Sequence, residues 1–219
     1  MIFVGSCMAA ELRNRFVAAT GGVAVTFAAA WGLRDPLASM ASYTAALMAL
    51  NQLAPPLLLL AMPRGRFDEG LRRLIDPWSA TLVFVTLSVA ISLPGLFNRS
   101  LVNALYTAPL GLLELLTGVM FWAQFTPVTR SVRRDWLAGL VAWLGGMPMT
   151  VVALVWMLSP VVLYTPYLDV ICRWDVPPLA DQRWAGLVMF AAGLPLQAVG
   201  AWLILDLSRP RPAHSPPAN

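Results

Sequence analysis

Six long apolar runs alternate along this chain with short stretches that collect most of its charge. They fall at about 16–33, 40–62, 78–97, 102–125, 136–162 and 182–206, and the last holds no charged side chain from Trp184 to Leu205. At a helical rise of 1.5 Å per residue, such runs reach across a hydrocarbon layer of roughly 30 Å. A backbone in that layer has to satisfy its own hydrogen bonds, which a helix does within one segment. The pattern predicts an all-α, polytopic membrane bundle with six transmembrane helices, forming one domain over residues 1–207. Residues 208–219 are Pro-rich and read as a disordered tail. Residues 1–12 are too short to span and lack the basic region of a signal peptide, so they read as an interfacial lead-in helix.

Breaks inside the runs refine this picture. Asn51 and Gln52 fall near the centre of the second run, and Pro55-Pro56 follow one turn later. Proline removes backbone donors, so a kink is expected there, with carbonyls left for a neighbour to satisfy. Asn98-Arg99-Ser100 reads as a tight turn between the third and fourth runs. Asp181, just ahead of the last apolar run, reads as that helix's N-cap. No internal repeat is apparent, which weighs against a transporter built from inverted halves.

Composition agrees with the pattern. Hydrophobic residues make up 58% of the chain and charged ones 12%, about half the share of a soluble domain. Every one of the fifteen basic residues is Arg. Eleven of them (13, 15, 64, 66, 72, 73, 130, 133, 134, 209, 211) lie in the N-terminal lead, the stretches after the second and fourth runs, and the tail. The other four (34, 99, 173, 183) lie in the alternate connections. Such a bias places both termini in the cytoplasm, here of a bacterial inner membrane, and ascribes the net charge of +4 to topology rather than to nucleic acid. Trp31, Tyr164, Tyr167 and Trp174 then mark the outer interface, and Trp78 and Trp136 the inner one.

Chemistry is sparse. The two cysteines, Cys7 and Cys172, are expected on opposite sides of the bilayer, and the lone His214 lies in the tail, so no imidazole-based metal cluster can form within this chain. No nucleophile–base pair, phosphate loop or paired-carboxylate site is present, and the chain reads as a non-enzyme. Two candidate groups remain. Asn51, Gln52, Glu114 and Gln197 form a possible intramembrane polar cluster. Asn51 and Glu114 lie about ten to twelve residues inside their runs, roughly 15 to 18 Å at helical rise, near the midplane. An ionised carboxylate is costly there, so Glu114 is expected either protonated or hydrogen-bonded to a partner. Tyr164, Tyr167, Asp169, Cys172, Asp175 and Asp181 form a possible polar mouth on the outer face.

Three segments resemble the CtaG family of cytochrome c oxidase assembly factors, of the branch found with caa-type oxidases. They are LNQLAPPLLLLAMPR (residues 50–64), GVMFW (residues 118–122), and LYTPYL followed by DQRWAGLVMF. The resemblance covers most of residues 35–207 and implies a polytopic helical protein that helps deliver or retain copper at a haem–copper oxidase. It also implies histidine pairs near positions 43 and 47 and near 107 and 111, with another near 92. Here those positions hold Tyr43, Leu47, Thr107, Gly111 and Ser92. Residues four apart share a helical face, so paired imidazoles there suit a metal, whereas these side chains do not.

The chain is thus expected to be a divergent member of the family, lacking a metal site. It would bind no cofactor of its own, with copper and haem belonging to the partner. Its partners would be membrane lipid and the subunits of a haem–copper oxidase or related respiratory complex, with no nucleic acid. The alternative is a copper or small-ion carrier that uses the intramembrane polar residues.

Overall fold

A computed structural model describes residues 2–63, 76–102, 104–125, 135–168 and 175–207. Among these residues every regular element is helical: α1 (Ile2–Gly32), α2 (Met40–Met48), a π-helical turn (Ala49–Leu53), α3 (Ala54–Ala61), α4 (Pro77–Ser92), α5 (Pro94–Val102), α6 (Ala104–Trp122), α7 (Asp135–Leu158), a short 3-10 turn (Thr165–Tyr167) and α8 (Pro178–Leu207). The charged stretches after the second and fourth runs, Asp169, Cys172 and the Pro-rich tail lie outside the described residues.

Among the described residues, four helical stretches are long and apolar enough to cross a membrane: Met40–Ala61, Leu105–Trp122, Trp136–Leu158 and Pro178–Leu205. The pair α4 and α5 qualifies only jointly and is bent by 70°. α1, with Glu11, Arg13 and Arg15 in its first half, is not among them. Its helix runs unbroken from Ile2, so the N-terminal lead is continuous with the first apolar run rather than a separate interfacial helix. Large apolar side chains cover the outside of the bundle, among them Phe27, Leu82, Leu105, Leu158 and Trp202.

Local chemistry explains each break. The π-helical turn lies where Pro55 and Pro56 withhold the N–H groups due to the carbonyls of Asn51 and Gln52. Ala54 N–H reaches back five residues to the Ala49 carbonyl, and the run continues into α3. At the end of α4, Leu93 is extended (φ −73°, ψ 136°), the conformation favoured by a residue ahead of a proline, and Pro94 starts α5. The expected turn at Asn98-Arg99-Ser100 is therefore helical, inside α5, and the third run breaks at Ser92 instead. α7 likewise stops at Leu158, short of the expected Val162.

α7 and α8 pack most extensively, through a seam of small residues. Gly139, Gly146 and Ala153 recur every seven residues on α7, and Gly186, Gly193 and Gly200 do the same on α8. They pair antiparallel. A Cβ on Gly139 would lie 2.9 Å from the Gly200 carbonyl oxygen, one on Gly146 2.9 Å from that of Gly193, and one on Gly186 2.9 Å from that of Ala153. Without side chains at these points the two backbones approach in direct contact, which drives helix association where no water is available to expel. A seven-residue period keeps one seam facing its partner along both helices.

Candidate functional site

One end of the bundle gathers the C-termini of α1, α4 and α7 with the N-termini of α2 and α8. Helix ends expose unpaired N–H and C=O groups, and long-range side chains satisfy them here. Asp181 does not cap its own helix, which begins at Pro178. Its buried carboxylate instead caps α2, accepting from Ser39 Oγ at 2.8 Å and from the backbone N–H groups of Met40 and Ala41. The adjacent Gln182 is fully buried. Its Oε1 accepts from Leu163 N–H at 2.8 Å, and its Nε2 donates to the carbonyls of Trp156 and Val161, fastening the segment after α7.

The two tyrosines serve the same end. Tyr164 donates to the Ser92 carbonyl at 2.7 Å, where α4 stops, and Tyr167 donates to the Pro36 carbonyl at 2.6 Å. Burial holds the Tyr164 phenol above the ordinary tyrosine range. Both rings are buried, so neither is an interfacial belt residue, whereas Trp31, Trp78 and Trp136 are exposed. Phe97 of α5 packs among Tyr43, Trp156 and Tyr164, with ring centroids 5.5, 5.7 and 4.5 Å away. Of the expected polar mouth, then, Tyr164, Tyr167 and Asp181 are fasteners within a closed end. Asp175 is exposed and takes a positive φ of 55°.

Deeper in the bundle the structure brings three of the four intramembrane polar residues together. Asn51 Nδ2 donates to Glu114 Oε2, linking the π-helical turn to α6. Gln52 Nε2 donates to Asn51 Oδ1 at 2.8 Å and lies 3.4 Å from Met149 Sδ on α7. Gly118 admits this approach, since a Cβ there would lie 2.6 Å from the Asn51 carbonyl oxygen. Gln197 does not join them. It packs on the α7–α8 seam, its Cγ occupying the space beside Gly146. Next to the cluster, a cavity of about 480 Å³ opens among Gln52, Leu53, Pro56, Trp122, Ala192 and Pro195. Among the described residues no three His, Cys, Asp or Glu side chains converge as a metal site would require.

Residues 12–209 match the family of the cytochrome c oxidase caa3 assembly factor, Caa3_CtaG. The chain belongs to this family. No match appears among curated proteins or among solved structures. Membership ties the chain to the assembly of a respiratory oxidase, and its long apolar helices make it a membrane protein.

Within this family member, the positions where histidines are implied are taken up by packing and hydrogen bonding. Tyr43, fully buried, donates to Ser100 Oγ at 3.2 Å, and Ser100 Oγ donates to the Phe97 carbonyl at 2.7 Å. Thr107 Oγ1 donates to the Ser100 carbonyl. Ser92 supplies its carbonyl to Tyr164, and Leu47 is core. Gly111 leaves room for Leu33 and Leu50, whose Cδ1 atoms would lie 2.6 and 3.3 Å from a Cβ there. Three hydroxyl residues, a glycine and a leucine offer no soft donor set, so copper does not fit these positions as they stand.

Ser39 and Gln182 take on fastening roles not expected from the sequence, and Ser100, expected in a turn, is a hydrogen-bond hub instead. The Asp-Gln pair ahead of α8 was a usable signal, since two adjacent polar residues entering an apolar run need buried partners.

Proposed function

We propose that this chain is a structural accessory or assembly partner of a haem–copper cytochrome c oxidase, acting by lateral packing and holding no metal site of its own. The family match over residues 12–209 carries the reading. The Tyr43–Ser100–Thr107 network, filling positions where the resemblance implies histidines, supports the loss of metal chemistry. The absence of a nucleophile–base pair in the sequence supports a non-catalytic role.

In this reading α1 supplies the sixth crossing through residues 16–32, where Phe16, Val23, Phe27 and Trp31 are exposed to lipid. The helices then alternate in direction, with the closed end gathering their outer termini. The arginine bias supports cytoplasmic termini and a bacterial inner membrane.

Affinity purification from mild detergent tests the proposal. Oxidase subunits should co-purify, and deletion of the gene should lower the haem and copper content of the assembled oxidase. A chain that runs alone, with oxidase unaffected by its deletion, would overturn it. Stoichiometric copper on the purified chain would also overturn it, and would favour an ion carrier instead.

A further inference from the structure

Another cavity, of about 450 Å³, lies between α1 and α6. α1 packs against α2, α3 and the π-helical turn and stands off from α6, which leaves a groove with Leu50 at its floor. Ala30, Ala108 and Leu112 line it and are exposed, so the groove opens sideways to the surrounding apolar phase. One wall extends from Arg34 to Thr26 and the other from Thr107 to Leu115, each about 12 Å at helical rise.

Free polarity is confined to one end of this groove. Thr26 and Thr107 line it, but their hydroxyls donate to the backbone carbonyls of Gly22 and Ser100. Arg34 differs. It is exposed and lies just past the C-terminus of α1, at the end of the bundle where the helix termini gather. Its guanidinium carbon sits 4.0 Å from the ring centroid of Trp31, itself exposed. Stacking engages the flat face of the guanidinium and leaves the N–H groups around its edge for another acceptor. Among the described residues no carboxylate forms an ion pair with Arg34, the neighbouring Asp35 included.

We propose that the groove seats one acyl chain of a membrane phospholipid whose phosphate is held by Arg34. An accessible cation at the interface, with an apolar trough leading away from it, matches the charged head and the chain of such a lipid. A guanidinium also takes phosphate oxygens in pairs. The open side lets the second chain stay in the bilayer. The site does not depend on the oxidase reading.

Native mass spectrometry of the full-length protein in detergent, titrated with dioleoyl-phosphatidylglycerol, tests this. Arg34→Gln should weaken binding about tenfold, the loss expected for one charge-assisted contact. Arg34→Lys should keep most of the affinity. Arg183→Gln, which removes an exposed cation near the start of α8, should leave binding unchanged. Ala108→Phe, which puts a ring into the groove from an exposed position, should weaken binding several-fold. None of these variants should alter thermal unfolding. Dioleoylglycerol, which has the chains without the phosphate, and glycerol phosphate, which has the phosphate without the chains, should each compete about tenfold less well than the whole lipid. A phosphatidylglycerol carrying a diazirine in one chain should label Ala30, Ala108 or Leu112. Equal losses in Arg34→Gln and Arg183→Gln, full competition by either partial ligand, or labelling spread evenly around the bundle would overturn the proposal. The groove would then hold bulk lipid, bind an anion alone or receive a helix of another protein.

Discussion

The closed end of the bundle and its middle both bury polar side chains, but they use them differently. At the end, Asp181, Gln182, Tyr164 and Tyr167 each reach a backbone group at or beside a helix terminus, and none has an orphaned atom. In the middle, Asn51, Gln52 and Glu114 bond mainly to one another, and Gln52 Oε1 is left over. The end is therefore architecture, because its polar groups answer a debt that the helix termini create. The middle carries more polarity than its own backbone requires.

The α7–α8 seam bounds both regions, and breaking it should have the largest effect. Gly146→Leu would push into Gln197 and the Gly193 carbonyl, and should cost about 3 kcal/mol or more. The readout is a collapse of monodisperse yield and thermal stability in detergent. Asp181→Ala comes next. It leaves the Ser39 hydroxyl proton and the N–H groups of Met40 and Ala41 without their acceptor, for about 2 kcal/mol. Hydrogen exchange should rise first at Met40–Tyr43, and an effect spread evenly over the bundle would contradict the capping role.

Glu114→Leu should do less, about 1 kcal/mol, because it removes one interhelical bond within the bundle. A loss as large as that of Asp181→Ala would show that the middle is as structural as the end. The smallest effect at neutral pH is that of Tyr164→Phe, also about 1 kcal/mol or below. It carries a pH signature. The folded phenol, desolvated by burial, holds its proton to higher pH than the unfolded one. Stability is therefore intact below the unfolded value of about 10 and falls as pH rises above it. Alkaline titration of the melting temperature should show that fall in the parent protein and a shallower one in Tyr164→Phe.

The helical class was legible in the sequence, because length and hydropathy are local quantities, whereas the unbroken start of the first helix at Ile2 and the break at Ser92 were not. That Glu114 needs a hydrogen-bond partner was legible, but with Asn51, Gln52 and Gln197 all at similar depth, which of them it meets was not. The seven-residue spacing of Gly186, Gly193 and Gly200, matched by Gly139, Gly146 and Ala153, was also present and marks a helix pair, although it forms no internal repeat of the chain. The role of Asp181 was misassigned for a definite reason. A carboxylate ahead of an apolar run has the local appearance of that helix's own cap, and a receptor helix 141 residues away leaves no trace nearby.

Composition and spacing alone determined that this polypeptide forms apolar helices and that Pro55-Pro56 would disturb the second of them, while its resemblance to a family rested on three particular segments. Only the tertiary structure decided which helix Asp181 caps, that α5 folds back at 70° to seat Phe97, that Gln197 stays on the seam, and that a cavity lies beside the π-helical turn. Helix formation depends on neighbours a few residues apart, whereas a hydrogen bond or a cavity between helices depends on how whole segments pack, and no local pattern encodes that.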